Sequence, residues 1–308
     1  MQATSFIWQN NTIKPWQEAT THVMSHGLHY GSGAFEGIRF YKTANGPAIF
    51  KLSEHVDRLF YSAQVMHMDI PYSQEQICQA IINTVGINQV ESGYIRPLVY
   101  YGYGAMGVCP SPTLPVETII ACWPWGRYLA SDSVDIKTSE FIRIHPRSTV
   151  ADAKICGHYI NSMLAGLAIR GTKYHEALML DEHGHVAEGS AENIFVIKNG
   201  KIYTTALGTI LEGITRNTII EMSKTLDLEL IEKRFGLEFI YGADEAFFTG
   251  TAVEVTPIRS LDDCIIGEGK PGPITEQFKA AYQDIVHGRN PAYQNSLTYV
   301  IDHMTGGV

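Results

Sequence analysis

The pattern of local structure changes once along the 308 residues, between Trp123 and Ser133, and this break constrains the fold more than any other feature. Before it, two helical stretches sit among strand-like runs. Leu52 to Met66 places Val56, Leu59, Phe60, Ala63 and Met66 on one face, with Ser53 as the expected N-cap. Ser73-Gln74-Glu75-Gln76 reads as a capping box opening a second helix through Val85, with Gly86 as its stop. A hairpin with an Asn-rich turn is expected near Ser5 to Ile13, and strands over Tyr94 to Tyr101 and Val116 to Trp125. After the break short strands dominate, at 134–141, 176–180, 193–197, 201–204 and 245–249, with Asn199-Gly200 as a hairpin turn. Helices are expected there from about Gly157 to Arg170, after Gly213-Ile214-Thr215, and from Ile274 to Val286; the tail beyond Gly288 reads as loosely structured. The expectation is an α+β/α/β two-domain protein. A small N-terminal α/β domain covers 1–122, an interdomain loop 123–133, and a larger, β-rich C-terminal α/β domain 134–308.

A content of 45% hydrophobic and 18% charged residues belongs to a globular chain, not a disordered one. The net charge of −9 argues against nucleic-acid and acidic-membrane partners, so an anionic ligand has to be gripped by local cations. Five scattered cysteines without a C-x-x-C pair indicate neither a disulfide framework nor a zinc site, and no metal is expected. The N-terminal residues lack a basic region followed by an apolar run, and nothing approaches membrane-spanning length; the expected location is cytoplasmic.

The chemistry centres on Val150 to Ser162, V-A-D-A-K-I-C-G-H-Y-I-N-S. Lys154 stands among small and apolar neighbours. A lysine taken out of water favours its neutral, nucleophilic amine, whereas one on a short apolar segment can also snorkel outward. Cys156 reads as a buried thiol. Upstream, glycines 27, 31, 33 and 37 are interleaved with His26, His29, Tyr30, Phe35 and Arg39. Arg58 lies beside an apolar helix stripe and either snorkels or reaches a site beneath it. Tyr94 and Arg96 share a strand face, which suits a carboxylate receptor or an ordinary cross-strand pair. The loop Gly102 to Pro115 carries Met106 and Val108. Gly213-Ile214-Thr215 at a helix start and the turn Gly250-Thr251-Ala252 both offer backbone amides, to an anion or merely to a cap or turn.

Taken together, H-Y-G-S-G-A-F-E-G-I-R, Y-I-R-P, M-G-V, P-W-G-R-Y-L, A-K-x-x-G-x-Y, E-G-S-A-E-N-I-F, L-E-G-I-T-R and G-T-A-x-E-V-T-P resemble, in register over nearly the whole chain, the class IV, fold-type IV pyridoxal-phosphate aminotransferases. Within these the pattern is most similar to the bacterial branched-chain amino-acid aminotransferases. The resemblance implies the D-amino-acid aminotransferase-like fold, pyridoxal 5′-phosphate as cofactor, and exchange of amino groups between L-leucine, L-isoleucine or L-valine and 2-oxoglutarate.

It also implies roles. Lys154 would hold the cofactor as a Schiff base and shuttle the proton. Tyr159 would bond its phenolic oxygen and Glu192 its ring nitrogen, while Arg58, Ile214, Thr215 and Thr251 would take its phosphate. Phe35, Tyr94, Arg96, Met106, Val108, Trp125, Tyr128 and Ala252 match pocket positions, with the amides of Thr251 and Ala252 on the α-carboxylate and Arg96 on the distal carboxylate of glutamate. Tyr30 and the Met106–Val108 loop would come from a neighbouring subunit. A homodimer is then the minimal unit, with a hexamer left open. Two positions depart from the common bacterial pattern: His158 stands where Asn is usual, and Arg127 replaces a small residue. Rival readings are a D-amino-acid or (R)-amine transaminase, an aminodeoxychorismate lyase, and a non-catalytic cofactor-binding protein. Tyr94, Arg96 and Gly250–Ala252 argue for the L-branched-chain type.

Overall fold

The computed structural model describes residues 2–126 and 131–300, so Arg127 and Tyr128 lie outside the described residues. Among the described residues, 2–126, 153–157 and 284–300 form one compact unit, and 131–152 with 158–283 a second. This division differs from the expected one in two places. The Lys154 segment and the chain after 284 both join the first unit, because each pairs with its strands.

The first unit is an antiparallel sheet covered by two helices. The hairpin β1 (Phe6–Gln9) and β2 (Thr12–Pro15) turns through Asn10 and Asn11, both at positive φ, where Asn is tolerated. A short α1 (His26–Tyr30) leads to β3 (Gly33–Phe35), β4 (Ile38–Thr43) and β5 (Gly46–Phe50). Then come α2 (Leu52–Val65), α3 (Gln74–Asn88), β6 (Gly93–Tyr101) and β7 (Val116–Pro124). β3 and β4 lie one after the other along the same edge of β6, Gly33 opposite Tyr100 and Ile38 opposite Ile95. Val56, Leu59, Ile77 and Ile81 from the helices close over Ile38, Phe40, Ile95 and Ile120 from the sheet. Each such fully buried side chain contributes about 1.5–3 kcal/mol.

Three expectations change here, each through a distant partner. Ser53 is not the cap of α2; the N-cap is Lys51, in the left-handed region (φ 50), whose N–H is held by the Ser296 carbonyl at 2.7 Å. α3 does not stop at Gly86 but runs to Asn88, capped by Gln89 (φ 52). Asn88 supplies the reason: its Oδ1 accepts from the amides of Ser5 and Phe6, and its Nδ2 donates to the Phe6 carbonyl, tying the helix end to β1. The described part of the tail, to residue 300, has regular structure: a 3₁₀ segment (Pro291–Ser296) feeds a further strand, Leu297–Tyr299, which extends the sheet beyond β5.

The second unit is a mixed sheet. β8 (Val134–Thr138) is shorter than expected and runs parallel to β9 (Glu176–Leu180), itself antiparallel to β10 (Val186–Gly189). β11 (Asn193–Lys198) and β12 (Lys201–Thr204) form the expected hairpin, with Asn199 at φ 51 and Gly200 at φ 72. β13 (Leu230–Glu232) runs parallel to β12. β14 (Glu245–Gly250) and β15 (Glu254–Leu261) complete the centre, and β16 (Cys264–Ile265) pairs with β15. The tail strand Leu297–Tyr299 is thus β17. The helices are α4 (Tyr159–Ile169), preceded by a 3₁₀ turn, α5 (Ile214–Thr225), α6 (Leu237–Tyr241) and α7 (Pro273–Val286). Ile194, Val196, Phe248, Ile258 and Ile240 form its core, and Phe247 stacks on Phe195 with centroids 5.1 Å apart. No described helix is long and apolar enough to cross a membrane.

Candidate active site

In the first unit Lys154 is held by its backbone. Its N–H donates to Ser62 Oγ at 2.9 Å, its carbonyl accepts from Phe35 N–H at 3.1 Å, and Ile155 bridges to Ala34 on β3. Gly157 N–H bonds the Gly31 carbonyl, where Gly31 ends α1 at φ 63. The segment is therefore a short addition to the sheet edge, its backbone donors and acceptors used. The Lys154 ammonium position lies 4.9 Å from the Phe35 ring centroid, and the side chain is only partly covered. Cys156, beside it, has its thiol pushed up by burial, with Arg96 and Lys154 opposing, a shift that disfavours the thiolate.

Beneath α2 lies a buried trio. Glu36, fully buried in the turn from β3 to β4, accepts from Arg58 Nε (2.6 Å), Arg58 Nη2 (3.0 Å), His55 Nδ1 (2.6 Å) and the Gly37 amide (3.2 Å). Burial alone would raise the Glu36 pKa, but the Arg58 charge and then His55 hold it far below the usual carboxylate range. Burial, with the Arg58 and Lys154 cations, lowers that of His55 against the pull of Glu36. Arg58 thus does not snorkel into solvent.

The substrate-pocket candidates of this unit fall into two groups. Arg96 lies 4.7 Å from the Phe35 centroid and 5.6 Å from that of Tyr94, and its buried Nε has no hydrogen-bond partner among the described residues. Tyr94 meets Trp125 edge-on at 4.5 Å. A side chain at Gly37 would overlap the Tyr94 phenol, so glycine is required there. Arg39 secures the chain after Trp125 by donating to the carbonyls of Trp125 (3.1 Å) and Gly126 (2.6 Å). Tyr30, Met106 and Val108 are not in this cluster. They are exposed, linked through His26, which stacks near Tyr30 (4.6 Å) and bonds the Gly107 carbonyl at 2.7 Å.

In the second unit Glu192 and the Gly250–Ala252 turn meet at one end of β11 and β14. Glu192, 3% exposed, takes the Ala191 amide at 3.0 Å and lies against Gly250, whose added Cβ would stand 3.8 Å from Glu192 Cγ. Asn193 opposite Thr249 places Glu192 beside the Gly250–Ala252 turn. The N-cap of α5 is Gly213 rather than a hydroxyl residue, and Thr215 falls inside the first turn. No side chain caps this terminus, so its amides point outward from the positive end of the helix. A Cβ at Gly213 would overlap Asn193 Oδ1. Tyr159 opens α4, and the preceding His158 bonds Thr149 Oγ1 at 2.6 Å.

Pyridoxal phosphate asks for an amine, a carboxylate for its ring nitrogen, and donors for a dianion. The first unit supplies a part-covered lysine and an arginine, and the second a buried carboxylate beside a glycine turn and an uncapped helix terminus; each is a donor type that suits this group. Sequence reasoning assigned no role to Glu36, His55 or Ser62. Glu36 alone had a signal: an acid set between Phe35 and Gly37 in an apolar strand run must be paired if buried.

The model of the family described as amino-transferase class IV matches residues 33–261. The branched-chain-amino-acid aminotransferase of Pseudomonas aeruginosa is 48% identical over 96% of this chain and 97% of its own, and that of Escherichia coli 38% over 92% and 93%. A crystal structure of the T.th. branched-chain amino acid aminotransferase complexed with N-(5′-phosphopyridoxyl)-L-glutamate superposes with a TM-score of 0.94 at 44% identity, covering 97% of this chain and all of the other. With the motif-bearing residues folded as two strand-edge clusters, and a likeness this extensive, the chain belongs to the class IV aminotransferases.

Proposed function

We propose that this protein is a pyridoxal-phosphate-dependent transaminase that interconverts L-leucine, L-isoleucine and L-valine with their 2-oxo acids, using 2-oxoglutarate and L-glutamate as the partner pair. The bound cofactor supplies an electron sink for the pair left at Cα when its proton departs. Lys154 Nζ anchors that cofactor and carries the proton to and from the substrate carbon. Glu192 keeps a proton on the ring nitrogen, and Tyr159 orients the ring through its phenol. Arg58, the amides of Ile214 and Thr215, and Thr251 hold the phosphate. The amides of Thr251 and Ala252 receive the α-carboxylate common to every substrate.

One observation carries the dual specificity. Arg96 sits between the rings of Phe35 and Tyr94, its buried Nε without an acceptor among the described residues. Its aromatic walls suit an aliphatic side chain, and the arriving γ-carboxylate of glutamate would supply the missing acceptor.

The functional unit is a homodimer in the cytoplasm. Val23 and Val108 are 74% and 83% exposed, and Leu28 and Tyr30 on α1 and Tyr103 and Met106 in the 102–115 loop are exposed as well; apolar side chains exposed in this way suit cover by a second copy. Five free cysteines suit a reducing compartment.

The test is a set of half-reactions on the holoenzyme, followed through the visible cofactor band. L-Leucine and L-glutamate should each bleach it, and D-alanine or an (R)-amine should not; the reverse pattern overturns the substrate assignment. Lys154→Ala should fold and lose transamination, and near wild-type turnover would sink the enzyme reading. Arg96→Ala should slow the glutamate half-reaction about 10- to 100-fold more than the leucine one, the value of a charge-assisted hydrogen bond. Equal loss would make Arg96 a general carboxylate or structural residue.

A further inference from the structure

Arg58 is expected to meet an anion, and one group already in direct contact with it is the Glu36 carboxylate. We propose that Glu36 is a positioning residue for the cofactor phosphate, locking the plane of the Arg58 guanidinium through its Nε and Nη2 edge while His55 locks Glu36. The inference rests on the reading of Arg58 as a phosphate ligand.

The geometry is specific. A carboxylate has about four acceptor sites, and Glu36 fills them with Arg58 Nε, Arg58 Nη2, His55 Nδ1 and the Gly37 amide. His55 and Arg58 are three residues apart on α2 and face the same acid. An ionised Glu36 can only accept, so Nδ1 of His55 carries a proton and donates it. Exposure rises in one direction through the trio: the side chains of Glu36, His55 and Arg58 are 0%, 2% and 13% exposed. The cation is the outermost member, at the end of a foundation with no freedom to turn. Two of the five guanidinium donors point at Glu36. Fixing them sets the plane in which the others lie, so rotamer entropy is lost on folding rather than when the anion binds. Glu36 lies between Phe35 and Gly37, whose neighbours Ala34 and Phe35 contact the Lys154 segment, so the Arg58 foundation and the lysine share one piece of backbone.

The experiment measures equilibrium binding to the full chain freed of cofactor, without any turnover. Pyridoxal phosphate and pyridoxal, which lacks the phosphate, are titrated against wild type, Glu36→Gln, Arg58→Ala and the double variant. Arg58→Ala should weaken pyridoxal phosphate and leave pyridoxal unchanged; equal weakening of both would remove the phosphate role of Arg58 itself. Glu36→Gln should weaken pyridoxal phosphate selectively, by about 10-fold, and add nothing once Arg58 is gone. A selective Arg58 effect with no selective Glu36 effect, or losses that add in the double variant, overturns the inference alone. Should Glu36→Gln not fold, Glu36→Asp takes its place, keeping the charge on a shorter arm. Selective loss of pyridoxal phosphate then supports the proposal, and an equal loss for both ligands, or none, overturns it.

Discussion

Each unit holds a buried arginine–glutamate pair, Arg58–Glu36 in the first and Arg143–Glu188 in the second, and the two are built differently. In the first, Glu36 is fully buried while Arg58 retains some exposure, and the third member is a titratable histidine. In the second, Arg143 and Glu188 are buried alike, at 8% and 7% exposure. Glu188 there also takes Asn193 Nδ2 (3.0 Å) and the Leu211 amide (3.2 Å), and Arg143 Nη2 reaches the Ala151 carbonyl (3.4 Å). That pair is closed on itself. It ties β10, β11, the segment before Ala151 and the turn leading to Gly213 into one knot, whereas the Glu36 trio ends on a cation at the surface of its unit. Burial on both sides suits a structural tie; burial on one side suits presentation of the other.

The largest effect should come from opening the closed pair. Glu188→Ala leaves Arg143, Asn193 and the Leu211 amide without their shared acceptor in the interior. Breaking a buried pair from one side costs about 3–5 kcal/mol, readable in urea unfolding. Glu36→Ala should cost less, about 1–3 kcal/mol, because Arg58 can turn to water. Equal losses would break the comparison.

Acid separates the pairs next. Both His55 and Glu36 have folded pKa values below their ordinary ones, 6.5 and 4.5, so their contributions are complete above those values and are lost as pH falls below them. His55 goes first. Unfolding free energy should begin to fall below about pH 6.5, with a slope approaching 1.4 kcal/mol per pH unit for one proton. Glu36 adds a second decline below about pH 4.5. His55→Gln should flatten the first decline and leave the second; an unchanged profile would assign the acid sensitivity elsewhere. The smallest effect belongs to an exposed pair. Lys173 and Asp263 lie 2.5 Å apart at 65% and 60% exposure, and Lys173→Ala should leave Tm unchanged within error.

Local signals were legible where the physics is local. The Asn199-Gly200 hairpin, the Ser73–Gln76 capping box and strand 176–180 stand where the residues placed them, since turn conformation and capping need only near neighbours. Ends of elements moved wherever a distant group intervened: the bonds of Asn88 to β1 carried α3 past Gly86, and the Ser296 carbonyl displaced the cap of α2 to Lys51. The tail read as loose because Leu297 to Tyr299 is too short to announce a strand without β5 beside it.

The family, the two kinds of local pattern on either side of 123–133 and the residue types available for the chemistry can be read from the chain alone, because eight motifs in register specify them. Three-dimensional packing is what puts Lys154 in the first unit, stands Arg58 on Glu36 and His55, and leaves the Arg96 Nε, between two rings, without an acceptor among the described residues. Pairing a buried charge depends on which distant residue closes the gap, 22 positions away for Arg58 and Glu36, and chain separation holds no record of that distance in space.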